Sequence, residues 1–250
     1  MNPHLLTTLI FAPLLAAVLM LIIPSAKKAA FRSIALVIGS FQFILSGVMY
    51  YLFHPKGAGI TDSRLYQFVD HHPWIRLDIG GLGTLEIDYY VGVDGLSMPF
   101  LTLTAVIMLI AIGASWRVEK NVKGYFILLM ILDMAVMGVF SALDFFLFYL
   151  FYELMLLPLY FLIGIWGGAR REYAAIKFFL YTLLGSVFML LVIVGLYFSV
   201  INPETGARTF NMVHMMSPSN YVPNTIFSFS TTQLLFGVPA RLLGFIVMFI

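Results

Sequence analysis

The chain has 250 residues, of which 61% are hydrophobic and only 10% charged, with a formal net charge of +2 and a mean hydropathy of +0.98. A soluble domain carries about 25% charged residues, so this chain has too little polar surface to face water all round, and its main solvent is lipid. With no cysteine, disulfides, thiolate metal sites and cysteine nucleophiles are excluded; the net charge by itself says little about partners, and no nucleic acid is expected among them.

Seven apolar stretches predict helices, at 3–23, 33–53, 92–115, 124–142, 145–166, 173–200 and 238–250. The first is long enough to cross a bilayer, lacks a basic residue before it and lacks a small-x-small cleavage site, so it reads as a retained helix rather than a signal peptide. Residues 54–91 follow the second stretch. Their alternation Ile75, Leu77, Ile79 and Leu85, Ile87 about a Gly-rich centre predicts a β-hairpin lying on the membrane surface. Residues 201–223, rich in Asn, Pro and Ser, read as irregular loop, and 224–236 as a short amphipathic or re-entrant helix. The last stretch reaches Ile250 with no cap, flanking charge or interfacial aromatic, so its helix is expected to continue further. No stretch alternates with period two, which excludes a β-barrel. The expected fold is an all-α polytopic membrane protein, a single membrane domain of about seven transmembrane helices with a small surface hairpin between the second and third.

Basic residues set the orientation. Lys27, Lys28 and Arg32 follow the first stretch, Arg117, Lys120 and Lys123 the third, and Arg170 and Arg171 the fifth. The positive-inside rule puts these three short loops on the cytoplasmic side and the N-terminus outside, in a multi-pass protein of the cell inner (plasma) membrane.

Ionisable groups inside the spans are the informative ones, because a charge at the bilayer centre costs ~2.5–3.5 kcal/mol or more. Three residues qualify: Asp133, Glu153 and Lys177. Glu153 is the ninth residue of its stretch and so near mid-depth, with Pro158 five residues on. The proline removes an N–H and frees the carbonyl of Leu154, making a kinked, hydratable point beside the carboxyl. A carboxyl balanced between burial and a nearby cation can load and release a proton; the plainer reading is a protonated glutamate hydrogen-bonded for packing. Asp133 and Glu153 lie about 11 and 9 residues from the short turn at Asp144, on adjacent antiparallel helices, so their depths differ by only a few ångströms. They either share a proton, or Asp133 only bonds a neighbouring helix. Lys177 enters the sixth helix about a turn inside, with Tyr181 one turn beyond on the same face. It either snorkels to the interface or acts on Glu153 through water. The five histidines fall in loops or at an end, so no metal site is expected, and the chain carries no catalytic nucleophile, haem pair or redox centre of its own.

The run from Ala142 to Gly168, Ala-Leu-Asp-Phe-Phe-Leu-Phe-Tyr-Leu-Phe-Tyr-Glu-Leu-Met-Leu-Leu-Pro-Leu-Tyr-Phe-Leu-Ile-Gly-Ile-Trp-Gly-Gly, closely resembles the antiporter-like subunits of respiratory complex I, the proton-pumping NADH:quinone oxidoreductase. It is most similar to the subunit M branch, the counterpart of mitochondrial subunit 4. Val-Gly-Val-Asp-Gly-Leu-Ser at 91–97, Ile-Lys-Phe-Phe-Leu-Tyr-Thr at 176–182 and the surface hairpin agree. The resemblance implies the N-terminal half of a proton-translocating membrane-arm subunit, part of a translocase whose redox chemistry sits on other subunits. Those subunits would hold NADH, FMN, iron–sulfur clusters and quinone, with no cofactor on this chain. It implies that Glu153 is the helix-5 glutamate that pairs with a helix-7 lysine, that Lys177 is the helix-6 lysine, and that Asp133 stands where many members carry glutamate. Its partners would be the other membrane-arm subunits and the bilayer. The alternatives are a subunit of a multi-subunit Na⁺/H⁺ antiporter or membrane-bound hydrogenase-type complex, and a structural membrane subunit without ion transfer.

Overall fold

The computed structural model describes residues 4–54, 65–78, 84–229, 234–235 and 237–248. Among them, six helices are long and apolar enough to cross a membrane: α1 (Leu5–Ile22), α2 (Lys28–Leu52), α3 (Ser97–Ala114), α4 (Val122–Ser141), α5 (Phe145–Trp166) and α6 (Arg171–Ser199). The apolar stretches located these helices, and polar side chains decided their ends. α2 starts five residues before its apolar stretch because Lys28 and Arg32 extend to Glu119, at 2.9 and 3.0 Å. α3 starts five residues late. Asp94 Oδ1 accepts the N–H groups of Leu96 and Ser97 at 3.1 and 2.7 Å, and Ser97 Oγ accepts the Asp94 N–H at 2.8 Å. That reciprocal cap sets the first turn and leaves Val91 and Val93 to a strand. α5 is capped by Asp144, whose Oδ1 accepts from Phe146 and Leu147 at 3.0 and 2.9 Å.

The hairpin pairs β1 (Gln67–Asp78) with β2 (Thr84–Val93), with Ile75 opposite Ile87 and Leu77 opposite Leu85. Ile79 and the Gly-rich tip lie outside the described residues. The strands are longer than the alternation indicated because their base is docked on protein. Leu143 donates its N–H to the Tyr90 carbonyl at 2.8 Å, Val91 bridges Ala142, and Val91 and Val93 are fully buried. The segment after α6 also docks here rather than being wholly irregular. It contains the one-turn α7 (Met212–Met215) and a 3₁₀ turn at Pro218–Asn220, and Met212 donates its N–H to the Leu143 carbonyl at 2.9 Å.

Of the short helix expected over 224–236, residues 230–233 and 236 lie outside the described residues, and the remainder is not helical. A turn closes at Ser228, whose N–H reaches the Thr225 carbonyl at 3.1 Å, and a tight pair, β3 (Leu234–Leu235) with β4 (Val238–Pro239), follows. Gly237 has φ +78°, a left-handed conformation suited to glycine and incompatible with a continuing helix. α8 (Ala240–Met248) then occupies part of the seventh apolar stretch.

α1 packs on α4, α2 on α3, α4 on α5 and α5 on α6. One core, around Leu9, Met98, Met137 and Phe151, fills the hairpin half; a second, around Met20, Phe31, Ile112 and Phe126, fills the other. α4 and α5 approach closely at Gly138, where a methyl group would overlap the Phe151 ring. The three basic loops gather at the end away from the hairpin. Lys123 Nζ donates to the Leu21 and Ile23 carbonyls at 2.8 and 2.9 Å, and Trp166 Nε1 to the Lys120 carbonyl at 2.8 Å.

Candidate functional site

Capping by Asp144 places Glu153 two turns into α5, midway between the hairpin end and the basic end. Its side chain is half-buried, and Oε1 is enclosed without a hydrogen-bond partner. Tyr149, one turn earlier and so on the same face, interacts with both the Glu153 carboxyl and Ser186 of α6. Ser186 is buried, and its hydroxyl donates to the Leu183 carbonyl at 2.9 Å. The glutamate thus belongs to the α5–α6 seam. Pro158 is buried in the same helix, which runs on through it to Trp166.

Asp133 is fully buried, and neither carboxyl oxygen has a hydrogen-bond partner. Its polar neighbour is Gln42 of α2, which is also fully buried. The Gln42 amide donates to the Leu9 carbonyl at 3.1 Å, leaving its own Oε1 unbonded. Asp133 therefore looks into the packing of α1, α2 and α4, while Met134 and Met137 carry the face of α4 that meets α5. The two carboxyls are at similar depth by residue count, yet no hydrogen bond joins them. Uncompensated polar atoms in an apolar interior are costly and mark places of functional interest.

Lys177 is exposed. Its Nζ lies between the rings of Tyr173 and Tyr181, 5.9 and 5.7 Å from their centroids, beside a cleft of about 540 Å³ that also takes in Arg170 and Arg171. It is six residues into α6 and Glu153 is thirteen from the same end of α5, a depth difference of roughly 10 Å. No hydrogen bond or ion pair links Lys177 to Glu153 or Asp133 among the described residues.

Cavities open toward the hairpin end, and two of them carry histidines and carboxyls of the hairpin and its neighbours. One, of about 600 Å³, descends between α1, α4 and α5 past Phe11, Met134 and Phe151 to Leu154, the residue after Glu153, and has His4, Asp70 and His72 at its mouth. The other, about 200 Å³, is lined by His71, Asp88, Asp144 and His214. Burial pushes the Asp144 carboxyl up to about 6, against the N–H bonds from Leu147, Asp88 and Phe146, and the Asp88 charge adds to the rise. Burial pulls His214 down; Glu204 opposes this and His71 adds to it. Sequence reading set the histidines aside as loop or end residues and took Asp144 only as a turn, because nothing local brings them together until the hairpin docks. The one signal present was the strand alternation, which sends Asp70 and His72 to one face and His71 to the other.

Residues 142–248 match a family model described as NADH:quinone oxidoreductase/Mrp antiporter, TM. The chain is 38% identical over 219 residues to the NADH-quinone oxidoreductase subunit M of Rhodobacter capsulatus, a match covering 86% of this chain and 38% of that protein. Its fold is similar to a chain of respiratory complex I from Thermus thermophilus with bound NADH, with a TM-score of 0.68, 23% identity, and coverage of 98% of this chain and 43% of the other. It is also similar to a chain of the membrane-bound sulfane sulfur reductase, an archaeal respiratory membrane complex, with a TM-score of 0.60, 20% identity, and coverage of 86% and 41%. The chain thus spans about two fifths of the length of the proteins it matches.

Proposed function

The chain belongs, through residues 142–248, to the NADH:quinone oxidoreductase/Mrp antiporter membrane family, and on that premise we propose that it is part of a proton-translocating membrane-arm subunit of NADH:quinone oxidoreductase. The observation that carries the proposal is Glu153: a mid-helix carboxyl, half-buried at the α5–α6 seam, with one enclosed oxygen free of protein partners and a tyrosine beside it. A carboxyl in that setting accepts a proton when its surroundings become more negative and gives it up when a cation approaches. Tyr149 and Ser186 supply hydroxyls that extend the path along the seam, while Asp133, sealed beside Gln42 among α1, α2 and α4, lies off that path. Lys177, near the basic end, is the cation of the entry side and acts at a distance of about two helical turns.

In this reading the redox work is done elsewhere: NADH, FMN, iron–sulfur clusters and quinone belong to partner subunits, and this chain contributes charge movement only. Its partners are the other membrane-arm subunits. The clustering of Lys28, Arg32, Lys120, Lys123, Arg170 and Arg171 at one end supports a cytoplasmic placement of that end in the plasma membrane, with the N-terminus outside. The deciding experiment is Glu153→Gln in the intact complex, measuring proton translocation in native membrane vesicles. Transport is expected to fall by about 100-fold or more, the usual size of a lost proton-transfer group; unchanged transport defeats the proposal.

A second reading has its own support: the description of the matching family includes Mrp antiporters. It keeps Glu153 in the same role and changes the machine that drives it. Vesicles that exchange Na⁺ for H⁺ without NADH oxidation favour this second reading.

A further inference from the structure

The hairpin brings together three metal-ligating side chains that lie far apart in sequence. Asp70 and His72 are two apart on β1, so the pleat sends both to one face, while His71 turns to the other and meets Asp88 at 2.8 Å. The first of these faces rests on the start of α1. There His4 Nδ1 is 3.0 Å from Asp70 Oδ2, and His72 Nε2 is 2.8 Å from Asp70 Oδ1. One ligand atom from each of the three residues falls within 4.8 Å of the others. The imidazoles are nearly parallel, 13° apart, with centroids separated by 6.2 Å.

The burial pattern is that of a site rather than of a chance surface contact. Asp70 is 3% exposed, whereas His4 and His72 are 69% and 60% exposed. The carboxylate is held in advance and the two imidazoles remain reachable by an incoming ion. An outer layer orients the carboxylate: Thr7 Oγ1 donates to Asp70 Oδ2 at 2.6 Å and lies 2.9 Å from the Tyr89 hydroxyl. Such outer partners fix ligand direction in metal centres. The strand itself is irregular on both sides of the cluster, with register shifts between Gln67 and Asp70 and between Pro73 and Ile75, and Phe68 at φ +53°. Irregularities of this kind re-aim side chains.

We propose that His4, Asp70 and His72 bind a borderline divalent transition-metal ion, with Zn²⁺ as the best fit. Two imidazole nitrogens and one carboxylate match the three-ligand zinc sites that leave a fourth position for water or an exchangeable group. Bonds of ~2.0–2.1 Å in tetrahedral array place ligand atoms roughly 3.3 Å apart. Here the two imidazoles approach different oxygens of Asp70, at 3.0 and 2.8 Å, and one ligand atom from each residue lies within 4.8 Å of the others, so a small movement of the exposed imidazoles completes the site. Magnesium and calcium are disfavoured because they require six or more oxygens, and Cu(I) because it selects sulfur. The ion replaces two histidine–aspartate hydrogen bonds and ties α1 to the hairpin across 66 residues. It also caps the mouth of the 600 Å³ cavity at the end opposite the basic loops.

The test uses the full-length protein, purified without a histidine tag and stripped with chelator, titrated with Zn²⁺ by calorimetry and with Co²⁺ by visible absorption. The expected result is one tight ion per chain with the absorption of a four-coordinate Co²⁺ site. His4→Gln and His72→Gln each weaken binding by at least about 100-fold and Thr7→Val by about tenfold, whereas His54→Gln, an exposed histidine elsewhere, leaves it unchanged. Both ligand histidines are exposed, so metal-free thermal melting of the glutamine variants is expected to match that of the unsubstituted protein. Absence of tight binding by the unsubstituted protein, or unchanged binding when His4 and His72 are replaced together, overturns the proposal.

Discussion

Asp133 and Glu153 are both carboxyls near the middle of neighbouring apolar helices, yet they lie in different kinds of protein. Half of the apolar window of α4 is buried within the chain, against 22% for α5 and 17% for α6. Asp133 is sealed among α1, α2 and α4 beside Gln42, while Glu153 sits at a seam flanked by exposed apolar side chains such as Leu150, Leu157 and Leu184. Mean hydropathy does not separate the helices; at 2.0, 2.0 and 2.4 they are alike. The contrast shows that in lipid the same composition serves packed and open faces, so function follows from which face a rare polar group occupies.

The largest expected effect tests that contrast directly. If Glu153 handles the proton and Asp133 only packs, Glu153→Gln removes about 100-fold or more of proton translocation while Asp133→Asn changes it by less than about threefold. Equal losses in vesicle pumping assays would place both carboxyls on one path and erase the distinction.

Next comes the cap that starts the Glu153 helix. Because burial raises the Asp144 carboxyl to about 6 from 3.8, the folded chain holds that proton more tightly than the unfolded chain. Its stabilising contribution is complete below about pH 4 and is lost as pH rises through about 6, amounting to about 2–3 kcal/mol. Asparagine can still cap the helix but does not titrate. Thermal unfolding of Asp144→Asn in detergent, compared with the unsubstituted protein between pH 4 and 7, should lack this fall; parallel curves would refute the shift.

Gly138→Ala probes the packed side. The added methyl meets the Phe151 ring, and the overlap should cost about 1–3 kcal/mol, seen as a lower melting temperature. The smallest effect is expected at Lys177. Removing an exposed cation between two tyrosines costs about 0.5–1 kcal/mol at most, so Lys177→Gln should leave stability nearly unchanged. A loss of pumping in that variant, at unchanged stability, would then report on the entry side alone.

Much of the scaffold was legible in the sequence. Runs of about twenty apolar residues must hide their backbone in helices, and a hairpin with Ile75 and Leu77 alternating must present one face to a partner. The basic loops likewise announced which helix ends share a side. Local rules said less about 224–236: the described residues there hold a turn at Thr225–Ser228 and the strand Leu234–Leu235, which pairs with Val238–Pro239, and residues 230–233 and 236 lie outside the described residues.

Sequence alone therefore determined that the chain crosses a membrane, where its helices lie, and that Glu153 and Asp133 are costly enough there to matter, because the price of a buried charge is a property of residue and depth. Tertiary structure decided what those residues meet. Helix rotation turned Asp133 to Gln42 of α2, and brought Tyr149, beside Glu153, to Ser186 of α6. Docking of the hairpin on α1 brought His4 within 3.0 Å of Asp70. Such pairings depend on the relative rotation of whole elements, which is set by packing over many distant contacts and not by any local pattern.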